Sequence, residues 1–122
     1  MIVGIGVDLV EVRRIGAALA QARTGGRFRT RVFTAGEIAY CERRRNAAES
    51  YAARFAAKEA VMKTLGAAFG WCEIEVARGD GPPTLHLHGR AAERAAQLGI
   101  RRLSLSLSHT AELAAAYVVA ED

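Results

Sequence analysis

Apolar and polar residues alternate from Ile2 to Val12, which predicts a strand. One face carries Gly4, Gly6, Asp8 and Val10; the other carries Val3, Ile5, Val7 and Leu9. Arg13 to about Ala22 then follows a helical period, with Ile15, Leu19 and Ala22 inward, until Thr24-Gly25-Gly26 breaks it. Arg27–Val32 reads as irregular, with room for one helical turn. Thr34 and Glu37 have capping-box spacing and Phe33 and Ile38 occupy the staple positions, so a helix starts there and runs to Arg43-Arg44-Arg45. A long helix is predicted from Asn46, with Glu49 as its capping partner, to Gly66, a residue suited to the left-handed position that ends helices. Beyond a short loop to Gly70 come a strand over Trp71–Arg78, a turn over Gly79–Pro83, a strand over Thr84–His88 and a helix from Gly89 to Leu98. A hairpin closes the chain: Arg102–His109 with strict leucine–serine alternation, Thr110-Ala111-Glu112, then the apolar Leu113–Ala120.

The order β, helices, ββ, α, ββ argues an α+β fold in one domain spanning 1–122, an antiparallel sheet with helices packed on one side. The helix ending at Gly66 organises the rest. It is apolar nearly all the way round, as buried helices are, yet it carries Arg54, Lys58, Glu59 and Lys63. The chain has 17 basic residues and its only lysines are Lys58 and Lys63. Unpartnered buried charge costs several kcal/mol, so these four side chains should meet something polar.

Charge narrows the partners. The formal net charge is +4, but nine arginines face only Glu37 and Glu42 between Arg13 and Arg45. So basic a segment points to an acidic or phosphate-rich partner. A hydrophobic content of 51% excludes disorder, no run is long enough to span a membrane, and the strand-like segment after Met1 leads us to expect no signal peptide. Cys41 and Cys72 have neither metal nor redox spacing, so a reducing cytoplasm is expected. His86 and His88 share a strand face but lack a third ligand nearby, so exposed strand residues are expected rather than a metal pair. Asp8, behind two glycines on its own face, reads equally as a site residue and as a strand-end acid paired with an arginine. Arg43-Arg44-Arg45 likewise reads as helix-dipole compensation or as a binding triplet.

Four segments together resemble one family. They are Gly4-Ile5-Gly6-Val7-Asp8-Leu9-Val10-Glu11-Val12; Phe33-Thr34-Ala35-Gly36-Glu37 with Tyr40-Cys41; Arg54-Phe55-Ala56-Ala57-Lys58-Glu59-Ala60 with Lys63; and Ser106-Leu107-Ser108-His109-Thr110. Their order is similar to that of the holo-[acyl-carrier-protein] synthases, the short phosphopantetheinyl transferases. The resemblance implies the 4′-phosphopantetheinyl transferase fold, a homotrimer with shared sites, and Mg²⁺-dependent transfer of 4′-phosphopantetheine from coenzyme A to a serine of an acyl carrier protein. It implies Asp8 and Glu59 as Mg²⁺ ligands, Glu59 and Lys63 as catalytic residues, and Arg54, Lys58, Gly66, His109 and Thr110 as substrate-binding residues. Arg14, Arg27 and Arg29 would meet the acidic carrier, with no nucleic acid or membrane partner. The chain departs from the family at Pro82, where many relatives have lysine, in a shorter loop after Gly66, and at Thr110, where some have aspartate. The acceptor of the serine proton is left open between a water assisted by Glu59 and a carboxylate of the carrier. The rival readings are a basic α+β RNA-binding module and a CoA-binding module without turnover. Two carboxylates on one ion repel each other when it is absent, so Asp8→Asn is expected to preserve or raise metal-free stability.

Overall fold

The computed structural model describes residues 1–122. Five strands and five helices follow one another as β1 (Ile2–Glu11), α1 (Val12–Ala20), α2 (Gly25–Val32), α3 (Ala35–Glu42), α4 (Ala47–Leu65), β2 (Ile74–Ala77), β3 (Thr84–Leu87), α5 (Gly89–Gln97), β4 (Arg102–His109) and β5 (Leu113–Glu121). The strands form two antiparallel sheets: a three-stranded one ordered β1-β5-β4 and the β2–β3 hairpin. The α+β class and the helix-covered sheet are as the sequence predicts.

Three local expectations change. Arg27–Val32 belongs to a two-turn helix, α2, which begins at Gly25. Gly25 suits that start because a Cβ there would lie 2.2 Å from the Leu19 carbonyl oxygen. Trp71–Glu73 is a 3-10 turn, and the strand begins only at Ile74. Asn46 makes no side-chain cap at α4, so Glu49 is released from the expected capping box. The Thr34–Glu37 box does form: Thr34 Oγ1 accepts from the Glu37 N–H at 3.2 Å and Glu37 Oε1 accepts from the Thr34 N–H at 2.8 Å. Gly66 closes α4 at φ 73°, with its N–H on the Met62 carbonyl.

α4 lies across the inner face of the three-stranded sheet. Ala52, Ala53, Ala56, Ala57 and Ala60 are buried, as are Ala114, Ala116, Val118 and Ala120 of β5, small residues that let helix and sheet approach closely. Gly6 carries this furthest: a Cβ there would sit 2.1 Å from the Ala60 carbonyl oxygen and 2.3 Å from Thr64 Oγ1. A side chain at position 6 would push the strand off the helix. The glycines beside Asp8 therefore admit α4, and Asp8 follows two residues on. On the opposite face of β1, Val3, Ile5, Val7 and Leu9 are exposed, continued across β5 by Tyr117.

Candidate active site

The close seam between β1 and α4 brings Asp8 to Lys63. Lys63 Nζ donates to Asp8 Oδ1 at 3.1 Å and to the Val7 carbonyl at 3.0 Å. The lysine side chain is 55% exposed and the aspartate 14%, so the pair lines an open surface rather than the core. Glu59 lies one turn before Lys63 on α4 and is half-buried. Because Lys63 already neutralises Asp8, the expectation that Asp8→Asn preserves or raises metal-free stability reverses: the change removes an attraction.

No cluster of three or more His, Cys, Asp or Glu side chains is assembled for a metal. His86 Nε2 meets Thr84 Oγ1, and His88 Nε2 meets Glu75 Oε1, each at 3.3 Å. Two hard carboxylates without a further protein ligand are nonetheless a donor set that suits Mg²⁺, which keeps waters and takes substrate oxygens. Asp8 and Glu59 fit that description.

A second cluster lies at the N-terminal end of α4. Arg43, Arg44, Arg45, Asn46, Ser50 and His109 line a cavity of about 300 Å³ without an apolar side chain. His109 reaches it from the end of β4, and its Nδ1 is 2.9 Å from Glu49 Oε1. Arg54 lies close behind. It is 3% exposed, its Nη1 donates to the Ser50 carbonyl at 3.3 Å, and its Nε and Nη2 have no partner. Its guanidinium stacks 4.1 Å from the Tyr40 ring centroid, a ring that Arg44 also approaches at 5.5 Å. Thr110 is occupied at its own turn, where Oγ1 accepts from the Glu112 and Leu113 N–H groups and keeps its proton to donate.

Lys58 is elsewhere. Its ammonium is fully buried, 2.7 Å from Glu37 Oε1 and 3.1 Å from the Trp71 carbonyl. Glu37 also accepts from the Val76 N–H, so this pair ties α3, α4 and β2 together. The expected substrate contact is replaced by an internal one, because α3 and β2 cover this side of the helix. Of the three arginines expected to meet a carrier, Arg14 and Arg27 are exposed. Arg29 is half-buried, with Nε 3.7 Å from Glu42 Oε2 and its guanidinium over Tyr51. Burial pushes the Cys41 thiol up to about 12, which leaves it a packing residue rather than a nucleophile. Sequence reasoning missed Glu49 as the partner of His109, because its spacing from Asn46 already had a local explanation.

Comparison with known proteins identifies the family. Residues 4–118 match the 4′-phosphopantetheinyl transferase superfamily. The chain is 50% identical to the holo-[acyl-carrier-protein] synthase of Solibacter usitatus, with all of both chains covered. Its fold matches the crystal structure of that synthase from Neisseria meningitidis with a TM-score of 0.87 at 32% identity, again over the full length of both. The Helicobacter pylori synthase, solved in complex with coenzyme A, matches with a TM-score of 0.81 at 30% identity, over 96% of this chain and 99% of that one. An aspartate brought to α4 by paired glycines, a lysine waiting on it and an arginine-lined cavity beside a strand-end histidine thus stand on a scaffold shared with these enzymes: the chain belongs to the 4′-phosphopantetheinyl transferase superfamily, among its holo-[acyl-carrier-protein] synthases.

Proposed function

We propose that this protein transfers 4′-phosphopantetheine from coenzyme A to a serine hydroxyl of an apo acyl carrier protein, with Mg²⁺, releasing adenosine 3′,5′-bisphosphate. The observation that carries the proposal is the Asp8–Lys63 pair at the β1–α4 seam. It sets an oxygen ligand beside the ammonium of a half-exposed lysine at one open surface. The serine oxygen forms a bond to phosphorus of the CoA pyrophosphate and gives its proton to a water assisted by Glu59 or to a carboxylate of the carrier, and the bond to the bridging oxygen breaks. Charge accumulates on the departing bisphosphate, and the chain's task is to neutralise it and to hold the phosphates in line.

Lys63 does the first. Its side chain is 55% exposed, so exchanging the Asp8 carboxylate for a phosphate oxygen costs the ammonium little. Asp8 and Glu59 would hold Mg²⁺, which supplies Lewis-acid stabilisation of the phosphate oxygens when bound. Arg54 keeps two unpaired nitrogens, Nε and Nη2, behind the cavity that Arg43, Arg44, Arg45 and His109 surround, a cavity of the right charge for nucleotide phosphates. Gly66 leaves the helix end without a side chain near the substrate. Arg14 and Arg27 present positive charge to the acidic carrier, and Arg29 adds to the same field from behind Glu42. The exposed apolar face of β1 and β5, with Ile5, Val7, Leu9 and Tyr117, supports a homotrimer that covers it. No helix is long and apolar enough to cross a membrane.

The test is to incubate the protein with CoA, Mg²⁺ and an apo carrier and weigh the carrier. The expected result is a mass gain of one phosphopantetheine, abolished by EDTA. Binding of CoA with no gain on any carrier would favour a CoA-binding module without turnover.

A further inference from the structure

We infer that Glu49 is a positioning residue for the nucleotide subsite: it holds His109 by Nδ1 so that the free Nε2 serves the arginine-lined cavity. The inference rests on the proposed function, which makes that cavity a phosphate site. A carboxylate in contact with a residue of such a site is electrostatically unfavourable to its ligand, so its presence calls for a reason. The expected reason, the capping box with Asn46, does not exist, because Asn46 makes no side-chain cap. Glu49 instead reaches across to the end of β4 and meets His109 Nδ1 at 2.9 Å.

An ionised carboxylate only accepts hydrogen bonds, so this contact keeps a proton on Nδ1; a phosphate oxygen also only accepts, so Nε2 meets it as an N–H donor, with the ring in its imidazolium form. The contact also fixes the ring plane, much as carboxylates orient histidines in metal sites. The glutamate side chain is 17% exposed and the histidine 43%, so the held nitrogen is the more sheltered end and the ring remains open to a ligand. His109 lines the cavity together with Arg43, Arg44 and Arg45. Glu49 touches none of the cavity's other lining residues by hydrogen bond or ion pair. Its effect on a ligand must pass through His109 or through its bare charge, and these two routes have opposite signs.

The experiment measures the affinity of adenosine 3′,5′-bisphosphate for wild type, Glu49→Ala, Glu49→Gln, His109→Ala and the Glu49→Ala/His109→Ala double variant. Positioning predicts that Glu49→Ala weakens binding by about three- to tenfold, the range of one net hydrogen bond. It predicts that Glu49→Gln, which keeps the acceptor oxygen, recovers most of this loss. It predicts further that the double variant is no weaker than His109→Ala alone, and that KM for CoA rises by a larger factor than kcat falls. Unchanged or tighter binding by Glu49→Ala overturns the inference, because loss of the charge alone would then be what the ligand senses. Additive losses in the double variant overturn it as well. Should Glu49→Ala fold poorly, the comparison of Glu49→Gln with wild type and with His109→Ala decides: Gln binding as weakly as His109→Ala overturns it, and near-wild-type binding upholds it. Wild type that binds no bisphosphate would refute the phosphate site itself, a result separate from any of these.

Discussion

Lys58 and Lys63 stand little more than a turn apart on α4, and their surroundings are opposite. Lys58 and Glu37 are both fully buried, and every polar contact of that pair is internal: the Trp71 carbonyl, the Thr34 N–H and the Val76 N–H. Lys63 and Asp8 meet at a surface, where about half of the lysine side chain is exposed. A buried pair is held by the cost of desolvating either partner alone, so it behaves as a rivet. An exposed pair contributes about 0–1 kcal/mol, so it can be broken by a competing anion or cation without consequence for the fold. One residue type thus serves as a joint at one depth and, in the proposed function, as a tool at the other.

The contrast is open to direct test. Lys58→Met leaves the Glu37 carboxylate buried without its counter-charge, and urea denaturation should record a loss of about 3–5 kcal/mol. Adding Glu37→Gln should restore part of it; a loss below about 1 kcal/mol in the single variant would mean that water reaches the pair. Lys63→Ala should lower turnover by about 10²-fold or more, as removal of a charge-stabilising donor does, with a stability change within about 1 kcal/mol. If Lys63→Ala unfolds as readily as Lys58→Met, the distinction between the two lysines is lost. Asp8→Asn should lower the melting temperature slightly in EDTA, by the equivalent of about 0.2–1 kcal/mol, and abolish stabilisation by Mg²⁺ with CoA. A higher melting temperature in EDTA would show carboxylate repulsion outweighing the Lys63 contact.

The smallest effect should come from Glu73, a carboxylate outside both pairs. It accepts from the Gly70, Arg90 and Ala91 N–H groups, and the Gly70 bond above all holds its pKa below the ordinary 4.5. A carboxyl depressed in the folded state stabilises fully above its unfolded pKa and loses that contribution as pH falls through the folded one. Glu73→Gln should therefore melt below wild type at pH 7, and the two should converge as the pH falls below 4.5 and past the depressed value. A gap that persists unchanged at low pH would assign the effect to packing instead of ionisation.

Much of this molecule is legible in its sequence because the signals are local. The Thr34–Glu37 box, the Gly66 terminator and the leucine–serine alternation each fix an element by short-range geometry, and Gly4, Gly6 and Asp8 share a face whatever the rest of the chain does. The site residues on α4 are legible as types but not as roles. Helical spacing places Lys58 and Lys63 on α4 without saying that α3 and β2 bury the first and leave the second at a rim. Glu49 was misread for the complementary reason: its local partner was plausible, and the histidine that claims it is contributed by the far end of the chain. The contacts of Arg29 with Glu42 and Tyr51 were not legible either, because sequence charge carries no direction.

The order β1-β5-β4 also bears on how the protein is made. The central strand is the last in the sequence, and the first strand has no other hydrogen-bonded neighbour in the sheet. During synthesis β1 and α4 emerge long before β5, so the surface that α4 will lay on Ala114, Ala116 and Val118 must wait uncovered. Closing so long a loop is an entropic expense that local contacts cannot offset, which makes sheet formation a late, slow step coupled to chain release. A chain stalled before Leu113 is therefore a helical fragment with an open apolar flank, the kind of species that chaperones hold and proteases clear.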